Sequence, residues 1–455
     1  METLSSIQGF FKRQMTPARI FILSFAALIL AGAFLLWLPF SAARGHLTFV
    51  DALFTSASAV CVTGLATIDI GKDLSFAGQV ITLVLFQIGG LGIITFSVVF
   101  FGLMGRSISF KEREIIQTTF LHTPRRDFLR IMRWVLLLTF IIEGIGTALL
   151  FVRFVQDAPP GRAFFQALYH AVSAFNNCGY SLFSNNLMNY QSDWIVNLTV
   201  MGLIVLGGIG FIVQYEVLSY LRGLQKKLSV HTKIVLITTA SLIVSGALLF
   251  YLFELNHILR DASFTTSLLT SLFQSITPRT SGFNTVDIGQ LTNTTILLLI
   301  ILMFIGASPG STGGGIKTTS FALLLLMIRN RFKGQEQVNA FNRTVPAEVL
   351  GRTISIIFAS AFSVILITSV MLIFGGISLS PLSSRHFFVE YLFETVSAYG
   401  TVGLSMGITE KLNSLQKLAI TLMMFAGRIG PLTLAFSWGR PQKGITYAEE
   451  QVMVG

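Results

Sequence analysis

The chain has 455 residues, 53% of them hydrophobic and only 12% charged. Soluble globular proteins carry about 25% Asp, Glu, Lys and Arg. Half that fraction, together with 41 Phe, excludes an ordinary soluble enzyme, a disordered chain and a disulfide scaffold, and leaves a multi-spanning membrane protein.

A membrane-spanning helix needs roughly 20 mostly apolar residues. In chain order, stretches 20–38, 80–104, 134–152, 195–215, 234–253, 295–328, 353–377 and 418–438 meet or approach that length. The first follows Lys12, Arg13 and Arg19. Its apolar run exceeds the roughly 7–15 residues of a leader's core, so it reads as a span and not a cleaved signal. Glu143 lies in the third stretch and Arg428 in the last, while GASPGSTGGGIK interrupts the sixth. Orientation follows from Lys and Arg. Segments 1–19, 105–133, 222–233, 329–352 and 439–455 hold 21 of the 32 basic residues; segments 41–79, 153–194, 254–294 and 378–417 hold nine. Both termini are therefore expected in the cytoplasm. The net charge of +11 reads as a topology signal and not as a nucleic-acid patch.

Each outer segment contains an apolar run too short to span: DALFTSASAVCVT, FFQALYHAVSAF, FTTSLLTSLFQSI and FFVEYLFETVSA. Runs of this length read as re-entrant helices. Each is followed by a glycine, in VTGL, NCGY, TSGF and TVGL, and Gly64, Gly179, Gly282 and Gly403 recur at intervals of 115, 103 and 121 residues. Ser-Ala precedes three of them (Ser58-Ala59, Ser173-Ala174, Ser397-Ala398), with Ile276-Thr277 in the third copy. The next helices carry IGGLG, LGGIG, IGASPG and AGRIG at similar offsets. Internal repetition of this kind decides the fold. The expectation is an all-α integral membrane protein with eight transmembrane helices and four re-entrant pore helices. The four helix–pore-loop–helix repeats span 20–104, 134–221, 234–328 and 353–438 with pseudo-fourfold symmetry around one pore. Cytoplasmic segments 1–19, 105–133, 222–233, 329–352 and 439–455 flank them.

Non-helical backbone at membrane depth is tolerated only where it lines a cavity. Four such loops around one axis make a ring of carbonyls, the construction of a cation selectivity filter. VCVTGL, NNCGY, RTSGF and GTVGL contain no acid. Carbonyls, with at most Thr, Ser and Asn oxygens, suit a monovalent cation better than Ca²⁺ or Mg²⁺, which prefer carboxylates.

The glycine pattern, TPRTSGFN (277–284), HAVSAFNNCGYSLF (170–183), STGGGIKTT and GRIGPLTLAF (427–436) together resemble the Trk/Ktr/HKT superfamily of potassium transporters, most closely KtrB-type membrane subunits. The resemblance covers nearly the whole chain. It implies a bacterial plasma-membrane K⁺ uptake pore working as a homodimer, one pore per subunit. It also implies a cytosolic ring of nucleotide-binding RCK subunits, Na⁺ as a frequent activator, and K⁺ as substrate with no covalent cofactor; nucleotide would act only through the partner. The filter is then carried by Val62, Thr63 and Gly64; Asn177, Cys178 and Gly179; Thr280, Ser281 and Gly282; and Thr401, Val402 and Gly403. In plant relatives a serine at the first glycine accompanies Na⁺ preference, so Gly64 favours K⁺. A Na⁺-coupled or Na⁺-selective transporter of the same superfamily is the alternative, separated by selectivity assays.

The family's intramembrane gate matches Gly306, Ala307, Ser308, Pro309, Gly310, Ser311, Thr312, Gly313, Gly314, Gly315 and Lys317, with Arg428 as its expected partner. A charge within the membrane costs about 2.5–3.5 kcal/mol on insertion scales and seeks acceptors, which loop carbonyls supply; a structural tie between helices is the alternative role. Lys317, nearer the cytoplasmic end, can instead snorkel. GSTGGGIKTT mimics a phosphate loop, but Ile316 separates Gly315 from Lys317 and breaks the motif. Cys61 and Cys178 sit near the filter in different repeats and read as free buried thiols, with a disulfide between the adjacent loops as the alternative. Glu143 is either an ion or proton site or a packed structural acid, and Arg279 either bonds the end of the third short helix or repels anions. The six histidines lack metal-ligand spacing, and no nucleophile–base constellation supports the rival reading of a membrane enzyme. No cytoplasmic segment is long enough to fold a regulatory domain, which places control in a separate protein docking on 105–133 and 329–352.

Overall fold

The computed structural model describes residues 17–104, 128–376 and 381–430. Residues 105–127 of the expected docking segment and the PLTLAF end (431–436) of the last predicted span lie outside the described residues.

The element order recurs four times. The first unit is α1 (Pro17–Trp37), α2 (Phe49–Val60) and α3 (Phe76–Met104). The second is α4 (Phe128–Phe154), α5 (Pro160–Phe175), and the pair α6 (Trp194–Gly208) and α7 (Phe211–Leu221). The third is α8 (Val230–Glu254), α9 (Phe264–Ile276), and α10 (Asn293–Phe304) with α11 (Thr318–Phe332); the fourth is α12 (Ala347–Gly376), α13 (Pro381–Gly400) and α14 (Ser414–Ile429). Residues 133–154 of α4, α8, and 347–375 of α12 are long and apolar enough to cross a membrane. The pair α6 and α7, bent by 102°, qualifies jointly as a fourth. Their outer faces carry exposed apolar side chains, among them Leu137, Phe140 and Ile145 on α4 and Phe358, Phe362 and Ile365 on α12. Such continuous apolar faces require an apolar surrounding.

Local chemistry sets the helix starts. Thr48 caps α2 and Ser263 caps α9 by accepting backbone N–H groups, and Pro159-Pro160 opens α5. Asn413 and Gln416 form a reciprocal capping box at α14. The short helices α2, α5 and α9 are buried along most of their length. Small residues on the following helices let them pack this close. A Cβ on Gly89 of α3 would lie 2.0 Å from Val60 O, and one on Gly207 of α6 1.8 Å from Phe175 O.

The sequence places a break only in the sixth stretch, at 306–317. The structure instead breaks the second long helix of the first three units, at Gly92 (φ 40°), at Gly210 (φ 93°) and over 305–317, and the last described helix of the fourth unit ends at Gly430 (φ 90°). Both glycine breaks lie against another part of the chain. Pro309 O would lie 2.6 Å from a Cβ on Gly210, and Arg428 Nη2 3.1 Å from one on Gly92. Between α11 and α12, β1 (Asn339–Ala340) and β2 (Arg343–Thr344) form a small hairpin, turned by Phe341 and Asn342 at positive φ. The sequence reading did not foresee it.

The first and last units meet through Lys417 Nζ and Asp51 Oδ1, 2.7 Å apart and both largely shielded. Removing either charge leaves the other half-buried and unpaired, at a cost of about 1–3 kcal/mol. Lys417→Ala and Asp51→Ala are each expected to lower the thermal midpoint of the detergent-solubilised protein. The double variant should be no worse than either single one; additive losses would show that the pair does not join the units.

Candidate functional site

Each short helix ends in one of the four glycine loops. A helix C-terminus presents unpaired carbonyls and a partial negative charge, which favours cations. The backbone N–H groups at the turn are drawn back onto the helix: Thr63 to Ser58 O (2.8 Å), Cys178 to Ser173 O (2.8 Å), Ser281 to Thr277 O (3.0 Å) and Val402 to Ser397 O (2.8 Å). The third loop reaches back four residues where the others reach five, matching its displaced Thr277. The side chains reinforce this. Ser58 and Ser397 accept from Gly64 N and Gly403 N, both at 3.0 Å, while Ser173 donates to Tyr180 O and Thr277 to Phe283 O.

Positive φ then recurs at every second residue: Val62 and Gly64, Asn177 and Gly179, Thr280 and Gly282, Thr401 and Gly403. Alternation of left- and right-handed conformations turns successive carbonyls to one side of a strand. The loops also touch in cyclic order. A Cβ on Gly64 would lie 2.0 Å from Cys178 O, one on Gly179 2.2 Å from Ser281 O, one on Gly282 2.5 Å from Val402 O, and one on Gly403 2.1 Å from Thr63 O. First meets second, second third, third fourth, and fourth first, so the ring closes with the carbonyl before each glycine against its neighbour. A cavity of about 290 Å³ opens over Gly64, Gly282 and Gly403, with Asn186, Asn284 and Glu410 on its wall.

On the side of Asn177, Thr280 and Thr401, the 305–317 segment packs against the ring. Gly314 N donates to Thr401 Oγ1 (3.0 Å), and a Cβ on Gly313 would lie 2.0 Å from Thr280 Oγ1. The Asn177 side-chain amide is 3.2 Å from Thr280 Oγ1. The segment is anchored to the second unit, Ser308 N donating to Gly208 O (3.0 Å) and Phe211 N to Gly310 O (2.9 Å). Its two legs pair with each other, Ala307 N donating to Gly314 O (3.3 Å) and Ser308 Oγ lying 2.8 Å from Thr318 Oγ1.

Arg428 gathers three carbonyls from two units: Nη1 donates to Thr312 O, and Nη2 to Gly89 O and Gly90 O. The Lys317 ammonium does not reach outward; it donates to Gly313 O at 2.8 Å. Glu143, buried on α4, accepts from Asn176 Nδ2 (3.0 Å) and Gln87 Nε2 (3.3 Å), tying α3 and α4 to the end of α5. Arg279 is buried with Thr239 Oγ1 3.4 Å from its Nη2. Cys61 and Cys178 are buried free thiols. IGGLG marks the helix of Gly89 and Gly90 as closely packed, but the sequence does not single out their carbonyls as acceptors for Arg428.

This arrangement defines a helical membrane protein built around a ring of backbone carbonyls. The chain matches the cation transport protein family typified by TrkH over residues 5–445. It is 38% identical to the Ktr system potassium uptake protein B of Bacillus subtilis, across 97% of each chain. It is 35% identical to the potassium/sodium uptake protein NtpJ of Enterococcus hirae, across 98% of each, and 37% identical to the Ktr system potassium uptake protein B of Vibrio alginolyticus, across 96% of this chain and 94% of that one. The crystal structure of the potassium transporter TrkH from Vibrio parahaemolyticus shares the fold, with a TM-score of 0.71 over 94% of this chain and 86% of that one at 21% identity. The chain belongs to the TrkH/Ktr family of cation transport proteins.

Proposed function

We propose that this protein is the membrane subunit of a bacterial K⁺ uptake system, conducting K⁺ through the four-loop ring. The observation that carries the reading is the cyclic closure of the four glycine loops, each carbonyl before a glycine lying against the next loop. Four equivalent loops without an acid offer a dehydrating monovalent cation carbonyl dipoles in place of water. The names of the relatives, potassium uptake in two and potassium/sodium uptake in a third, support K⁺ as the cargo and leave Na⁺ as activator or co-substrate.

In this reading each unit contributes two spanning helices and one re-entrant helix, eight and four in all, with both termini in the cytoplasm. The 306–317 segment is a gate against the inner side of the filter, held by Arg428. The basic cytoplasmic segments, Lys333 among them, receive a separate nucleotide-binding ring, and two copies of the chain assemble with one pore each. The test is K⁺ uptake in a host deprived of its own uptake systems, with and without Na⁺. Saturable uptake that excludes Na⁺ is the expected result. Na⁺ accumulation at an equal or greater rate would replace this reading with a Na⁺ transporter.

A further inference from the structure

Three residues before the serine or threonine that braces each glycine loop stand Thr55, His170, Gln274 and Glu394, all fully buried behind the ring. Only two of them brace the segment leaving the ring. His170 Nδ1 lies 2.7 Å from Gln166 O, so it carries the proton, and Nε2 accepts from Ser181 Oγ at 2.8 Å. Phe183, stacked at 4.6 Å, and Phe154 hold the imidazole in this orientation. Glu394 Oε1 accepts from Thr409 Oγ1, through which it reaches Ser405. Thr409 Oγ1 and Ser405 Oγ are themselves 2.9 Å apart. Ser181 and Ser405 hold the same place, two residues past Gly179 and Gly403.

The other two loops lack this strut. Their residues two past the glycine are Ala66 and Asn284, and Thr55 Oγ1 and both side-chain polar atoms of Gln274 have no hydrogen-bond partner among the described residues. Those loops are held from the side instead. Tyr180 Oη donates to Leu65 O at 3.2 Å, and Leu187 N to Asn284 O at 3.1 Å. The second and fourth loops are not neighbours in the ring; they face each other across it.

We propose that His170 and Glu394 are positioning residues for the ring, fixing its outer width along one diagonal by tying the exits of the second and fourth loops to their own short helices. The proposal rests on reading the ring as a selectivity filter. A carbonyl ring discriminates between ions through the spacing and field of its oxygens, so a loosened exit should alter discrimination before it alters the amount of folded protein.

The test measures K⁺ and Na⁺ uptake, with apparent KM and maximal rate, at matched membrane levels. Ser181→Ala and Ser405→Ala leave the short helices untouched. Each is expected to lower the K⁺:Na⁺ uptake ratio about five-fold, the effect of losing one ordinary net hydrogen bond, with the maximal K⁺ rate nearly unchanged. Glu394→Leu should match Ser405→Ala, and their combination should be no worse than either, because each breaks the same Glu394–Thr409–Ser405 chain. Glu394→Gln keeps an acceptor oxygen and should stay near the parent. Parental ratios in both serine variants would overturn the proposal, as would multiplying effects in the double variant. If Glu394→Leu does not fold, the serine variants decide alone. A parent chain that does not discriminate K⁺ from Na⁺ would instead remove the filter reading beneath it.

Discussion

In the Gly64→Ser variant, K⁺ uptake relative to Na⁺ uptake is expected to fall at least about ten-fold, the ratio that about 1.4 kcal/mol of differential binding produces. Two physical effects act there. Gly64 sits at φ 89°, where an L-residue pays about 1–2 kcal/mol in the left-handed region. Its Cβ would also fall 2.0 Å from Cys178 O, a backbone atom that no rotamer change can move aside. The neighbouring loop must therefore retreat, and the carbonyl that retreats is one proposed to touch the ion. Gly45 separates the two effects. It has φ 67° and nothing within 4 Å of its Cβ position, so Gly45→Ser carries the strain without the collision and should leave the ratio unchanged. The cyclic contacts extend the expectation to Gly179, Gly282 and Gly403, each of which meets the backbone of the next loop. An unchanged ratio in a well-folded Gly64→Ser protein would remove the first loop from ion selection.

The four loops are legible in the sequence because two independent signals coincide. Apolar runs of 12–13 residues are too short to span, and each is followed at once by glycine. The breaks at Gly92 and Gly210 are not legible in this way. Both sit inside apolar sequence, where glycine reads as a packing residue that permits close helix contact. At Gly89 and Gly207 it is one, each lying against the last carbonyl of a short helix. Three residues later another part of the chain comes close, the Pro309 carbonyl at Gly210 and the Arg428 guanidinium at Gly92. The 305–317 break shows in the sequence only because Ser, Thr, Pro and Lys interrupt the apolar run there. The Arg428 partners follow the same rule. A buried guanidinium needs acceptors, but nothing in the sequence selects Gly89 and Gly90 over any other carbonyl. The struts behind the ring leave no signature in the sequence, since His170, Gln274 and Glu394 share no side-chain chemistry.

Excising Ser308–Gly314 is expected to raise basal K⁺ flux by about ten-fold or more, equivalent to removing at least about 1.4 kcal/mol of barrier. The deletion is geometrically mild. The two legs of the segment already run side by side, Ala307 N bonding Gly314 O at 3.3 Å and a Cβ on Gly306 lying 3.0 Å from Gly315 Cα. Joining Ala307 to Gly315 shortens the loop without separating α10 from α11. It removes the material packed against Thr280 and Thr401, and with it the Thr312 carbonyl that Arg428 holds. Arg428→Ala should move flux the same way by less. The loop stays anchored through Ser308 N to Gly208 O and Phe211 N to Gly310 O while losing its tie to the first and fourth units. Arg428→Lys should fall between the parent and the alanine variant, because an ammonium keeps the charge but cannot spread donors as the planar guanidinium does across Thr312, Gly89 and Gly90. Flux into proteoliposomes, measured at equal protein density, ranks the four proteins. If the deletion and the alanine variant both assemble and conduct at the parent's rate, the 306–317 segment is a connector between two half-helices and the barrier to K⁺ lies elsewhere in the pore.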